Sequence, residues 1–66
     1  MEPRAEIQRL LVQGDNRLKQ GERRLYTRAR ESYEAALALA QEHGLEEGVR
    51  PLVELRLAEL DRLERG

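Results

Sequence analysis

The chain has no cysteine, no tryptophan and no phenylalanine, a single histidine, and one lysine beside eleven arginines. Each absence closes a route. Without cysteine there is no disulfide staple and no thiolate to act as nucleophile or metal ligand. One histidine, His43, has no second histidine for a proton relay or a metal site, and its place near a predicted helix end suits a capping role. Two tyrosines, Tyr26 and Tyr33, are too few for a platform on which single-stranded nucleic acid stacks. Val, Ile and Thr together number five, which starves any strand of its preferred residues. The longest uninterrupted apolar run, Ala35 to Ala40, falls far short of the ~20 residues that cross a bilayer. No apolar run follows a basic start, so the expected location is the cytoplasm. Twelve basic residues against thirteen acidic ones leave a net charge of −1, which excludes a uniformly basic nucleic-acid binder and a polyanionic tail.

What is present forms helices. Leucine occurs twelve times among the 66 residues, and alanine, glutamate and arginine are abundant, as in a thermophile-like composition. Length predicts one small domain over residues 1–66, a size that buries only roughly 60% of its unfolded surface. Pro3, Gly21, Gly44, Gly48 and Pro51 punctuate the chain, and the periodicity between them predicts three helices, at about 3–20, 23–43 and 48–65. The first has its apolar stripe at Ile7, Leu10, Leu11, Gly14 and Leu18. Gly14 sits mid-stripe, where it costs roughly 1 kcal/mol relative to alanine, so close approach of a neighbour is the expected compensation. The second carries a wide face with a small-residue centre, Ala29, Ser32, Ala36 and Ala40, flanked by Tyr33 and Leu37. The third buries Val49, Leu52, Val53, Leu57, Leu60 and Leu63. Short connections make successive helices antiparallel, so the expected fold is an all-α, antiparallel three-helix bundle.

Two features break these patterns. Arg56 projects into the apolar arc of the third helix. Either its stem lies on the core while the guanidinium reaches water, meeting Glu59, or it forms a buried ion pair. Charge is also segregated: from Arg17 to Arg30 there are six basic residues and one acid, and from Glu31 to Gly48 five glutamates and no Lys or Arg. Lys19, Arg23, Arg24 and Arg28 form a basic patch at the first turn, and Arg23 and Arg24 stand where the dipole of the second helix prefers acids. Such a patch points to an acidic partner or to the acidic end of another copy, Glu42, Glu46 and Glu47. The net charge argues against nucleic acid. No spacing of His, Asp or Glu suggests a metal site, no loop suggests a cofactor, and the paired carboxylates Glu31/Glu34 and Glu46/Glu47 read as solvated surface, so no enzyme is expected. Ser32 lies amid alanines with no His or Lys nearby to activate it.

From Gly14 onward the residues resemble a tetratricopeptide repeat. Gly14 supplies the small residue within the first helix and Gly21 the glycine at the turn, while Ala29, Tyr33, Ala36 and Leu37 reproduce the second-helix spacing. The stretch from Gly21 to Ala29 is about three residues longer than that repeat allows, and its closing proline is absent. The resemblance implies a TPR-like hairpin with a capping helix that binds and does not catalyse. Its groove would hold a peptide or helix of a partner protein at Gln8, Leu11, Asp15, Leu18 and Lys19, with Asp15 where the family prefers asparagine. A weaker resemblance is to the three-helix microtubule-interacting-and-trafficking domain. It rests on Leu60, Asp61, Arg62, Leu63 and Glu64, with Leu63 where alanine is expected. The alternative expectation is a small structural or regulatory homo-oligomer, because repeat arrays need about three repeats to bury their faces. Leu55 and Val12, both off their main stripes, are candidates for the surface it would use.

Overall fold

The structure, a computed structural model, describes residues 2–66. It is all-helical: α1 spans Pro3–Lys19, a single 3₁₀ turn spans Arg23–Leu25, α2 spans Tyr26–Glu42 and α3 spans Glu46–Arg65. α1 starts where Glu2 caps it. The Glu2 carboxylate accepts from the backbone N–H of Arg4 and Ala5, both at 3.0 Å; those bonds hold its pKa below the usual carboxylate range, and Pro3 occupies the first position, where no N–H is needed. α1 stops at Gly21, which takes φ +71°, a conformation that side chains with a Cβ resist.

The second helix differs from expectation at its start. Residues Arg23–Leu25 form the 3₁₀ turn instead of its first α-turn, so α2 begins at Tyr26. No side chain caps either start, and no acid lies in the first turn of α2. At its other end the closure is complete. Gly44 adopts φ +69°, the Leu45 N–H donates to the Ala40 carbonyl at 2.8 Å and the Gly44 N–H to Gln41 at 3.4 Å, the paired bonds of a Schellman cap. The third helix begins at Glu46, two residues before the expected 48, and runs through Pro51. N–H groups of Gly48 and Val49 both donate to the Leu45 carbonyl, so the first turn closes upstream of the proline, which removes only its own bond to Glu47.

α2 packs against both neighbours, whereas α1 and α3 scarcely approach each other's backbone. The body measures 35 × 20 × 13 Å. α1 and α3, parallel to each other, lie side by side on one broad face, with α2 behind them and antiparallel to both. Ile7 and Leu11 from α1, Ala29, Tyr33, Ala36 and Ala40 from α2, and Val53 and Leu60 from α3 make the core. Burying a side chain such as Leu11 or Leu60 contributes about 1.5–3 kcal/mol. Gly14 has a specific use: a Cβ there would lie 2.5 Å from Cε1 of Tyr33 and 2.9 Å from Cδ1 and Cζ. The closely approaching neighbour is the Tyr33 ring.

Candidate functional site

The broad face is organised around one polar node. Asp15 breaks the apolar run of α1 between Leu11 and Leu18, and Arg56 breaks that of α3 between Leu52 and Leu60. The two breaks meet. Arg56 Nε donates to Asp15 Oδ1 at 3.0 Å and a terminal guanidinium nitrogen donates to Oδ2 at 3.2 Å, while the other terminal nitrogen donates to the Leu52 carbonyl at 3.1 Å. The Tyr33 hydroxyl, from α2, donates to Asp15 Oδ1 at 2.6 Å. All three helices therefore meet on one carboxylate. Asp15 is 36% exposed and Arg56 29%, so the pair sits at the margin of the core with water on one side. Burial drives the Tyr33 phenol pKa well up, and its hydrogen bond to the Asp15 carboxylate reinforces the shift. Glu59 is not the partner of Arg56; it binds Arg62, which holds its pKa down.

An open cleft lies on either side of this node. One, about 470 Å³, is lined by Arg4, Gln8, Glu47, Val49 and Leu52 among others; the second, about 560 Å³, lies among Leu18, Leu55, Ala58, Glu59 and Arg62 beside Asp15 and Arg56. Leu55 is 71% exposed, Leu52 45% and Val12 43%. Of the residues singled out from the sequence, Gln8 and Leu11 border the first cleft and Asp15 and Leu18 the second. Leu11 is a core residue, 2% exposed. Lys19 is exposed one turn beyond Asp15 and lines neither cleft.

The basic residues at the first turn do not act as one group. Arg23 donates to the Glu64 carbonyl at 2.9 Å, near the C-terminus of α3, where a cation is favoured. Its charge opposes the dipole of α2 and suits that of the antiparallel neighbour. Arg24 pairs with Glu22 at 2.6 Å. Lys19 and Arg28 have no hydrogen-bonded or ionic partner among the described residues. Behind the face, Arg17 donates to Ser32 Oγ at 2.6 Å, and Arg30 binds both Asp61 and Glu64, so Asp61 is held by α2 and not by Arg65 four residues on. Arg50 pairs with Glu46 and, at 3.6 Å, with Glu54. Glu42 and Glu47 are exposed and unpaired among the described residues.

Folding turns this segregation into two poles. Residues 16–32 and 57–66 share one half of the long axis and hold eight basic residues and five acids, whereas 2–14 and 34–54 share the other and hold three basic residues and seven acids. The Asp15–Arg56 pair marks the boundary.

No group of three or more His, Asp or Glu residues could hold a metal ion among the described residues, and no described helix is long and apolar enough to cross a membrane. His43 is exposed at the C-cap of α2. No family model, curated protein or solved structure matches the chain.

Proposed function

We propose that the chain is a non-catalytic protein–protein interaction module whose α1/α3 face receives a helix or peptide of a partner protein. The observation that carries this reading is the uncovered apolar surface on that face: Leu55 and Leu52, 71% and 45% exposed, each lining one of two clefts that open to solvent. Contiguous exposed apolar surface rimmed by polar groups marks a docking site on a small protein. The polar node on the face is saturated by its own members. Asp15 accepts from Tyr33 and Arg56, and a phenol whose pKa is driven up has no base form near neutrality. That leaves no activated acid, base or nucleophile on the face and supports binding over catalysis.

The resemblance to a tetratricopeptide repeat supports the same reading at two points. Gly14 seats the Tyr33 ring, and the three residues of the 3₁₀ turn, Arg23–Leu25, take up the length by which the sequence exceeds that repeat. The test is selection of peptides from a random display library on the immobilised chain. Enriched peptides should bind the wild type and lose at least tenfold in affinity to Leu52→Glu and Leu55→Glu, while Ala38→Glu on exposed α2 surface leaves binding intact. Failure of the monomeric chain to enrich any peptide, or equal binding to all four proteins, removes the reading.

A further inference from the structure

We infer that the partner seated on the α1/α3 face is a second copy of the chain, docked antiparallel about a twofold axis that passes near the Asp15–Arg56 pair. The inference rests on the reading of that face as a docking surface and names its occupant. Size is the first argument. A broad face of 35 × 20 Å has an outline of about 700 Å², close to the ~800 Å² per partner of a stable interface. One copy presents enough surface for another, provided the whole face is used. Leu52 and Leu55 lie along it, so an isologous contact sets the same apolar patch against itself.

Charge selects the orientation. With one pole basic and the other acidic, a parallel pair would stack like on like, whereas an antiparallel pair sets each basic pole over the acidic pole of its mate. The second cleft of one copy then covers the first cleft of the other. Lys19, exposed near the second cleft, then lies over the acidic half of its mate, whose first cleft Glu47 lines, and this juxtaposition occurs twice. Both residues lack an intramolecular partner among the described residues. At 13 Å thick the body is deeper than the ~8 Å over which physiological salt screens charge, so the charges that line the face contribute most to the attraction and those on the back of each pole, including Arg28 and Glu42, contribute least. An acidic peptide would complement only one pole; a second copy complements both and closes the assembly at two chains.

Sedimentation equilibrium at micromolar concentration tests this. The wild type should have the mass of two chains, and Leu55→Glu, whose exposed site leaves folding unaffected, the mass of one at unchanged helical circular dichroism. Two charge variants test the orientation. Lys19→Glu/Arg28→Glu/Arg62→Glu makes both poles acidic, and Glu34→Arg/Glu42→Arg/Glu47→Arg makes both basic. Each alone should be monomeric, and an equimolar mixture should form a one-to-one dimer that weakens at least tenfold in high salt. A wild type that stays monomeric, a mixture that does not pair, or growth beyond two chains overturns the inference. The broader reading is judged separately: a strictly monomeric wild type that still selects Leu55-dependent peptides keeps the docking face and loses only its proposed occupant.

Discussion

Asp15 accepts hydrogen bonds from side chains on two other helices, so changes around it separate its contributions. Gly14→Ala gains up to about 1 kcal/mol of helix propensity, but its methyl would press on the ring of Tyr33, which is fully buried and tethered by its hydroxyl to Asp15. Overpacking of this kind costs about 1–3 kcal/mol, so denaturant titration should show a net loss of stability. For the ion pair, Arg56→Ala should lower stability by about 1–3 kcal/mol, because it removes charged hydrogen bonds from Asp15 and apolar stem from the core margin. Arg56→Leu restores the apolar contact and should cost less; the two melting alike, within about 0.5 kcal/mol, would mean that the apolar stem contributes little and that the loss comes from the bonds to Asp15. Tyr33 sets a pH dependence. Its phenol pKa is raised in the fold, whereas an unfolded phenol ionises near 10. Past that pH the unfolded chain releases a proton that the folded chain keeps, so stability is full below about pH 10 and declines above it. Tyr33→Phe should lose about 1 kcal/mol at neutral pH and show a shallower alkaline decline. The node was half legible in the sequence, because Arg56 visibly interrupts an apolar stripe. Its partner was not, since helical spacing places Asp15 on a face without giving the rotation of one helix against another.

Among the elements, the stops were legible and two of the three starts were not. Gly21 and Gly44 mark their helix ends because few other residues adopt positive φ at low cost. The segment from Arg23 to Leu25 carries helical periodicity but no cap and no acid, so the chain takes a tighter turn there before the long helix begins. At α3 the proline misleads in the opposite direction: Pro51 suggests a boundary, yet the helix starts at Glu46 and passes through it. Acids at Glu46 and Glu47 suit that N-terminus, and the exposed Glu47 carbonyl can turn to water. Because an interior proline costs about 3 kcal/mol relative to alanine, and strain near a helix start is partly relaxed, Pro51→Ala should raise stability by at least about 1 kcal/mol. A calorimetric melting temperature that does not rise would show the first turn of α3 to be held by something other than its backbone bonds.

At the scale of the molecule, composition and turn length made an all-α three-helix fold legible, because nothing in the chain competes with helix and the connections are too short for any other arrangement. The two poles were visible as runs of charge in the linear sequence, but their alignment depends on α3 returning Arg62 and Arg65 beside the first turn. Which face stays uncovered is a property of packing: Leu52 belongs to the apolar stripe of its helix and is nonetheless 45% exposed, because α2 lies behind that helix and α1 only beside it. The pair that joins α1 to α3 has a consequence in time. Successive helices meet through contacts between near neighbours in sequence, a topology that folds in microseconds to milliseconds. Asp15 and Arg56 are 41 residues apart and cannot meet until both turns have closed and α2 has docked on each side. Their bond therefore belongs to the last stage of folding and acts as a latch against escape from the native state. Asp15→Asn should accelerate unfolding while leaving the refolding limb of a stopped-flow chevron nearly unmoved, and a slowed refolding limb would instead place α1 against α3 already at the barrier.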